Sequence, residues 1–180
     1  MKIQEQKITL EQDEIFYLHK SSPKALHTVI FIHGFPFSSA MWRGQLESLP
    51  EHIEGFAFDI SGFGQSTTGH HFFSVDLFAR KLFAFMDGLR ISKAILCGLS
   101  MGGYITLRAL EIDKERVSGV ILCDTHSLSD NNEGKLKRFA SIDLVTSGRK
   151  VEFASSFLKN LFAEESFAKQ KPAVELIESI

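Results

Sequence analysis

The stretch Gly98-Leu99-Ser100-Met101-Gly102-Gly103 sets one serine between glycines two residues before it and two after it. A serine hydroxyl can attack a carbonyl carbon when it stands clear of the backbone in a sharp strand-to-helix turn, and small flanking residues are what such a crowded turn tolerates. The apolar run Ala94-Ile95-Leu96-Cys97 ahead of the motif reads as a strand and 104–110 behind it as a helix, so both arms of the turn are present. A bare Gly-x-Ser-x-Gly match is equally at home in an ordinary glycine-rich turn; the flanking strand and helix favour the catalytic reading. In that turn the N–H of Met101, at the start of the helix, faces the oxygen on which negative charge would gather. A second loop, His33-Gly34-Phe35-Pro36, follows another apolar run, and its glycine and proline can turn the Phe35 N–H toward Ser100. Phe35 and Met101 are therefore the expected oxyanion donors. His33 is expected to brace its loop through side-chain hydrogen bonds rather than act as a base. Asp59, at the head of Asp59-Ile60-Ser61-Gly62-Phe63-Gly64-Gln65-Ser66, is expected to accept backbone N–H groups in a tight loop. A carboxylate nucleophile at Asp59 is the lesser reading, because Ser100 holds the elbow.

These side chains need a frame, and the chain supplies one by alternating short apolar runs with longer helical patterns. Strands are expected at 6–10, 14–19, 28–32, 55–60, 94–98 and 117–123, the last four apolar enough to be buried on both faces. The clearest helix is 74–89, where Val75, Phe78, Ala79, Leu82, Phe85, Met86 and Leu89 share one face, with Ser74 as N-cap and Asp76 in the first turn. Beyond Asp124 the pattern changes to a polar stretch that holds Glu133 and then to short helices without strands. The expected fold class is α/β, a mostly parallel sheet with helices on both faces. Its core would occupy 1–127 and a helical cap segment 128–180.

Composition excludes several classes of partner. The 180 residues are 44% hydrophobic and 23% charged with a net charge of −2, and acidic and basic residues are mixed throughout, which argues against nucleic acid or an anionic membrane as partner. Cys97 and Cys123 sit in apolar runs, as reduced buried thiols do. The charged start Met1-Lys2-Ile3-Gln4-Glu5 has no apolar core of the secretory kind, and no apolar run approaches the length of a membrane span, so a cytoplasmic location is expected.

Taken together and in order, His33 to Pro36, Asp59 to Ser66 and Gly98 to Gly103 resemble the α/β-hydrolase superfamily. Asp124-Thr125, followed by the polar stretch and helices, further resembles its branch of 3-oxoadipate enol-lactonases and related carboxylesterases. The resemblance implies a serine hydrolase that takes a small-molecule ester or lactone and forms an acyl-enzyme at Ser100 without metal or organic cofactor. It also implies that the catalytic acid and histidine follow later strands, beyond the cap and beyond Ile180, so residues 1–180 alone are expected to be inactive. Asp124 is a secondary candidate for the acid, because some relatives carry it after that strand, and His126 is a weaker candidate for the base. His70 and His71 fall in a polar loop. Phe153, Phe157, Leu158, Leu161 and Phe162 are expected either to line the pocket or to dock the cap. A sheet ending at 117–123 would leave an edge uncovered, which leaves association into a homo-oligomer or a swapped dimer open. Cofactor-free perhydrolases and carbon–carbon bond hydrolases share the serine geometry and are rival reactions. A non-catalytic binding module is the rival outside enzymes.

Overall fold

The computed structural model describes residues 2–69 and 72–180; His70 and His71 lie outside the described residues. In chain order the elements are β1 (Gln4–Leu10), β2 (Asp13–Lys20), β3 (His27–Ile32), α1 (Arg43–Ser48), β4 (Ile53–Phe58), α2 (Val75–Gly88), β5 (Ala94–Leu99), α3 (Met101–Ile112) and β6 (Val117–Cys123). Four helices follow: α4 (Asn132–Thr146), α5 (Lys150–Lys159), α6 (Glu164–Lys169) and α7 (Lys171–Ser179). The chain divides into two compact units, Met1–Ser127 and Leu128–Ile180.

The first unit is built on a six-stranded sheet of order β1-β2-β4-β3-β5-β6. Its β1–β2 and β2–β4 pairs are antiparallel and the other three are parallel, so β2 alone runs against the rest. Because side chains alternate across a strand, each apolar run feeds two cores. Ile30, Ile32, Phe56, Phe58 and Leu96 pack with Phe78, Leu82 and Phe85 of α2 and Ile105 of α3. Val29, Phe31, Ala57 and Cys97 pack on the other face with Trp42 and Leu46 of the short helical segment around α1. That segment was not anticipated from the sequence. It lies so close to β4 that a Cβ on Gly55 would meet Leu49 Cδ1 at 2.4 Å and Leu46 Cδ2 at 2.7 Å.

Helix α2 begins as expected: the Ser74 hydroxyl accepts from the Leu77 N–H at 3.1 Å and Asp76 sits in the first turn. The fourth strand ends at Phe58, two residues earlier than the apolar run suggested. Asp59 and Ile60 already belong to the loop, and Ile60 is apolar because it is buried there, at 2% exposure.

A buried polar cluster ties the first hairpin to the rest. Asp13, fully buried, accepts from the Ser61 hydroxyl at 2.9 Å and the Gly69 N–H at 2.9 Å, and faces Lys81 Nζ of α2 at 3.3 Å. Lys81 also reaches Glu11 at 2.8 Å. At the far edge, Val120, Ile121 and Leu122 of β6 are 40–48% exposed, and no strand among the described residues pairs with its outer side.

In the second unit α4 is capped by Asn131, whose side chain accepts from the Gly134 N–H at 2.8 Å. Leu136, Phe139 and Ile142 of α4 are exposed, while ring pairs Phe153–Phe157 and Phe162–Phe167 form within and after α5. Among the described residues no helix is long and apolar enough to cross a membrane.

Candidate active site

Ser100 sits between β5 and α3 with φ 49° and ψ −111°. That conformation is costly for any residue with a Cβ, so the surroundings must impose it. They do so through glycines. A Cβ on Gly98 would fall 2.3 Å from the Gly102 carbonyl oxygen, and one on Gly102 would fall 2.2 Å from that of Ile32. The first turn of α3 can therefore press directly on β5 and the end of β3 only if both positions lack side chains. Ser100 is further held by its N–H, which donates to the Cys123 carbonyl at 2.9 Å, and by its own carbonyl, which accepts from Gly103 N–H and the Thr125 hydroxyl, each at 2.9 Å. The sequence placed Thr125 in the family resemblance but gave it no role at the serine turn. Its role depends on the end of β6 reaching the elbow, which local spacing cannot reveal.

The His33 loop packs beside this turn. A Cβ on Gly34 would lie 3.2 Å from the Leu99 carbonyl oxygen and 3.4 Å from Ser100 Cβ. The next residue, Phe35, is half exposed, and its ring meets Phe63 edge to face at 6.1 Å; the Phe35–Pro36 bond is cis. Met101 opens α3, so its N–H has no acceptor inside the helix. Gly34 thus packs against Ser100, with Phe35 next to it in the loop, and Met101 follows Ser100 at the start of α3.

His33 is fully buried, with Nδ1 3.0 Å from the Gly34 carbonyl and Nε2 accepting from the Ile60 N–H at 3.0 Å. The Ile60 donor fixes the proton on Nδ1, which leaves both nitrogens occupied. Burial holds the pKa of His33 below the ordinary imidazole value, against the opposing pull of the Gly34 bond and the nearby Asp59 charge. Asp59 is itself engaged. It accepts from Ser39 N–H at 2.6 Å and Gln65 N–H at 2.8 Å, and the carboxylate lies so close to the loop that a Cβ on Gly64, at φ 51°, would be 2.1 Å from Oδ2.

Of the remaining candidates, Asp124 follows β6 with φ 41° and is exposed. His126, also exposed, pairs with Tyr104, Nε2 to hydroxyl 3.3 Å and rings 5.5 Å apart. Among the described residues no side chain hydrogen-bonds the Ser100 hydroxyl, and Asp124 and His126 form no hydrogen bond with each other. Both cysteines are free, and burial pushes the Cys97 thiol up to about 12, with Cys123 beside it adding to the shift. Among the described residues no cluster of three or more His, Cys, Asp or Glu side chains could hold a metal.

The sheet, the strained serine turn and the two loops around it define an α/β hydrolase architecture, and residues 27–165 match the family model of the alpha/beta hydrolase fold. The chain belongs to that family. It is 27% identical over 165 residues to the uncharacterized hydrolase YugF of Bacillus subtilis (strain 168), covering 91% of this chain and 56% of YugF. Over 98 residues it is 31% identical to 3-oxoadipate enol-lactonase 2 of Acinetobacter baylyi, covering 54% of this chain and 36% of that protein. The solved structure of a thermophilic esterase from Thermogutta terrifontis is similar with a TM-score of 0.84 at 28% identity, over 98% of this chain and 65% of the esterase. The chain thus spans less than two thirds of the length of each of these relatives.

Proposed function

We propose that the intact protein is a serine hydrolase of carboxylic esters or lactones. Ser100 Oγ attacks the carbonyl carbon, and the Phe35 and Met101 N–H groups hold the resulting oxyanion. A histidine from outside residues 1–180, oriented by a carboxylate, takes the serine proton and passes it to the departing alkoxide. Water then attacks the acyl-enzyme, returning a proton to Ser100 and releasing the acid. The observation that carries this reading is the backbone of Ser100, φ 49° and ψ −111° at the β5–α3 junction, because a strained turn that lifts a hydroxyl above a sheet has a reason to persist in nucleophilic attack. The involvement of His33 in two loop hydrogen bonds supports assigning the base elsewhere. The esterase and enol-lactonase relatives favour ester or lactone over other acyl substrates.

The test is labelling with a fluorophosphonate probe of the natural full-length polypeptide, of its Ser100→Ala variant and of residues 1–180 alone. The expected result is labelling of the full-length form only, lost in Ser100→Ala together with ester turnover by a factor on the order of 10⁴ or more. Equal labelling of the alanine variant, or none of the full-length form, would overturn the assignment.

A further inference from the structure

Far from Ser100, the first unit carries a cavity of about 350 Å³ where the parallel strands begin rather than where they end. Tyr17 and His19 of β2, Glu54 and Phe56 of β4, and Arg90 and Lys93 from the connection between α2 and β5 line it. That volume equals roughly a dozen waters at liquid density, enough for a small metabolite.

The polar groups of its inner wall are engaged with one another. Glu54 takes His19 Nε2 at 2.8 Å, the His19 ring stacks on Phe56 at 4.3 Å, and the Tyr17 hydroxyl donates to Gln6 at 2.6 Å. The two cations at the mouth are not. Among the described residues neither Arg90 nor Lys93 has an ion-pair partner. The nearest carboxylate along the chain, Asp87, is taken by Arg116 at 2.7 Å. That arginine also donates to the Ile91 carbonyl at 2.9 Å and the Ser92 carbonyl at 3.3 Å, which fixes the segment carrying Arg90 and Lys93. The backbone between the two cations is therefore fixed, and their side chains are exposed at the cavity without an ion-pair partner among the described residues.

Arg90 adds a second observation. It lies in the left-handed region at φ 58°, just past the end of α2, where its N–H bonds the Asp87 carbonyl and the Ile91 N–H bonds the Met86 carbonyl at 2.8 Å. This is the helix-ending position at which glycine is favoured, since any Cβ is strained there. A guanidinium is kept at the cavity mouth where the backbone alone would favour glycine.

We propose that this cavity binds a small organic anion, with its carboxylate or phosphoryl group held between Arg90 and Lys93. Oxyanions of either kind suit an arginine fork beside an ammonium group. The site shares no residue with the serine turn, so its fate is independent of the proposed hydrolysis.

Calorimetric titration of the full-length polypeptide with inorganic phosphate and, separately, with benzoate at constant ionic strength tests this. Saturable one-site binding is expected with at least one probe: phosphate alone identifies a phosphoryl ligand, and benzoate alone a carboxylate. Arg90→Gly should weaken that binding roughly tenfold or more while raising the melting temperature in ligand-free buffer, an opposition that a purely structural arginine would not produce. Lys93→Gln should also weaken binding, and Ser100→Ala should leave it unchanged. Absence of saturable heat with both probes, or undiminished affinity in both cavity variants, overturns the proposal.

Discussion

At His33 the hydrogen bonds decide chemistry and stability together. With Ile60 N–H aimed at Nε2, protonating the ring would set two donors against each other in a fully buried site, which agrees with the depressed pKa caused chiefly by burial. The unfolded chain takes up a proton on this histidine near pH 6.5, whereas the folded chain resists it to lower pH. The contribution of His33 is thus fully present above about pH 6.5 and declines as pH falls through the folded value. Thermal melts between pH 8 and 5 should show a steeper loss for the wild type than for His33→Gln, even though the variant starts less stable; parallel curves would mean that His33 titrates normally. Ser100 and its glycines were readable in the sequence because a strained turn must be written locally, two residues to either side. The support from Thr125 was not, since it arrives from the next strand.

The junction of β5 and α3 works as one element because the backbone of Gly102 touches that of β3. A methyl group there would sit 2.2 Å from the Ile32 carbonyl oxygen and 2.8 Å from its carbon, atoms of a central strand that cannot swing aside. Gly102→Ala should therefore cost about 3 kcal/mol in urea unfolding, as overpacking against fixed atoms does. The control is Gly44→Ala in α1, where nothing lies within 4 Å of the new methyl. There the gain in helix propensity should leave stability unchanged or raise it by about 0.5–1 kcal/mol. Similar costs for both would show that Gly102 is not a contact glycine. Element type followed from the sequence wherever one pattern dominated, as in the helical stripe of α2 and the apolar runs of β3 to β6. It failed at 39–48, where α1 and the turn before it offer only Trp42 and Leu46 as buried apolar side chains and present no stripe. It overran at β4, where the buried loop residue Ile60 looks like one more residue of strand.

At the scale of the whole first unit, what local pattern could not reveal is the clasp around Asp13, whose partners Ser61, Gly69 and Lys81 all come from later in the chain. It joins the β1–β2 turn to the loop that follows β4 and to the side of α2, so it couples the N-terminal hairpin to the region that carries Asp59. Burial by itself would raise the pKa of Asp13, but the bonds from Gly69, Ser61 and Lys81 outweigh it and hold the carboxyl below the ordinary range. That contribution is present above about pH 4, where an unfolded aspartate is ionised, and is lost as pH falls through the lower folded value. Asp13→Ala removes the carboxylate while Lys81 stays largely buried, at 9% side-chain exposure, with only the exposed Glu11 among the described residues to pair with it. Leaving a buried ammonium with one exposed partner in place of two carboxylates costs up to about 3 kcal/mol. Adding Lys81→Met removes the under-compensated charge and fills the space, so the double variant should be more stable than Asp13→Ala alone. Urea unfolding of the two single variants and the double one completes the cycle, and a double variant no more stable than Asp13→Ala would mean that the carboxylate acts through Ser61 and Gly69 alone.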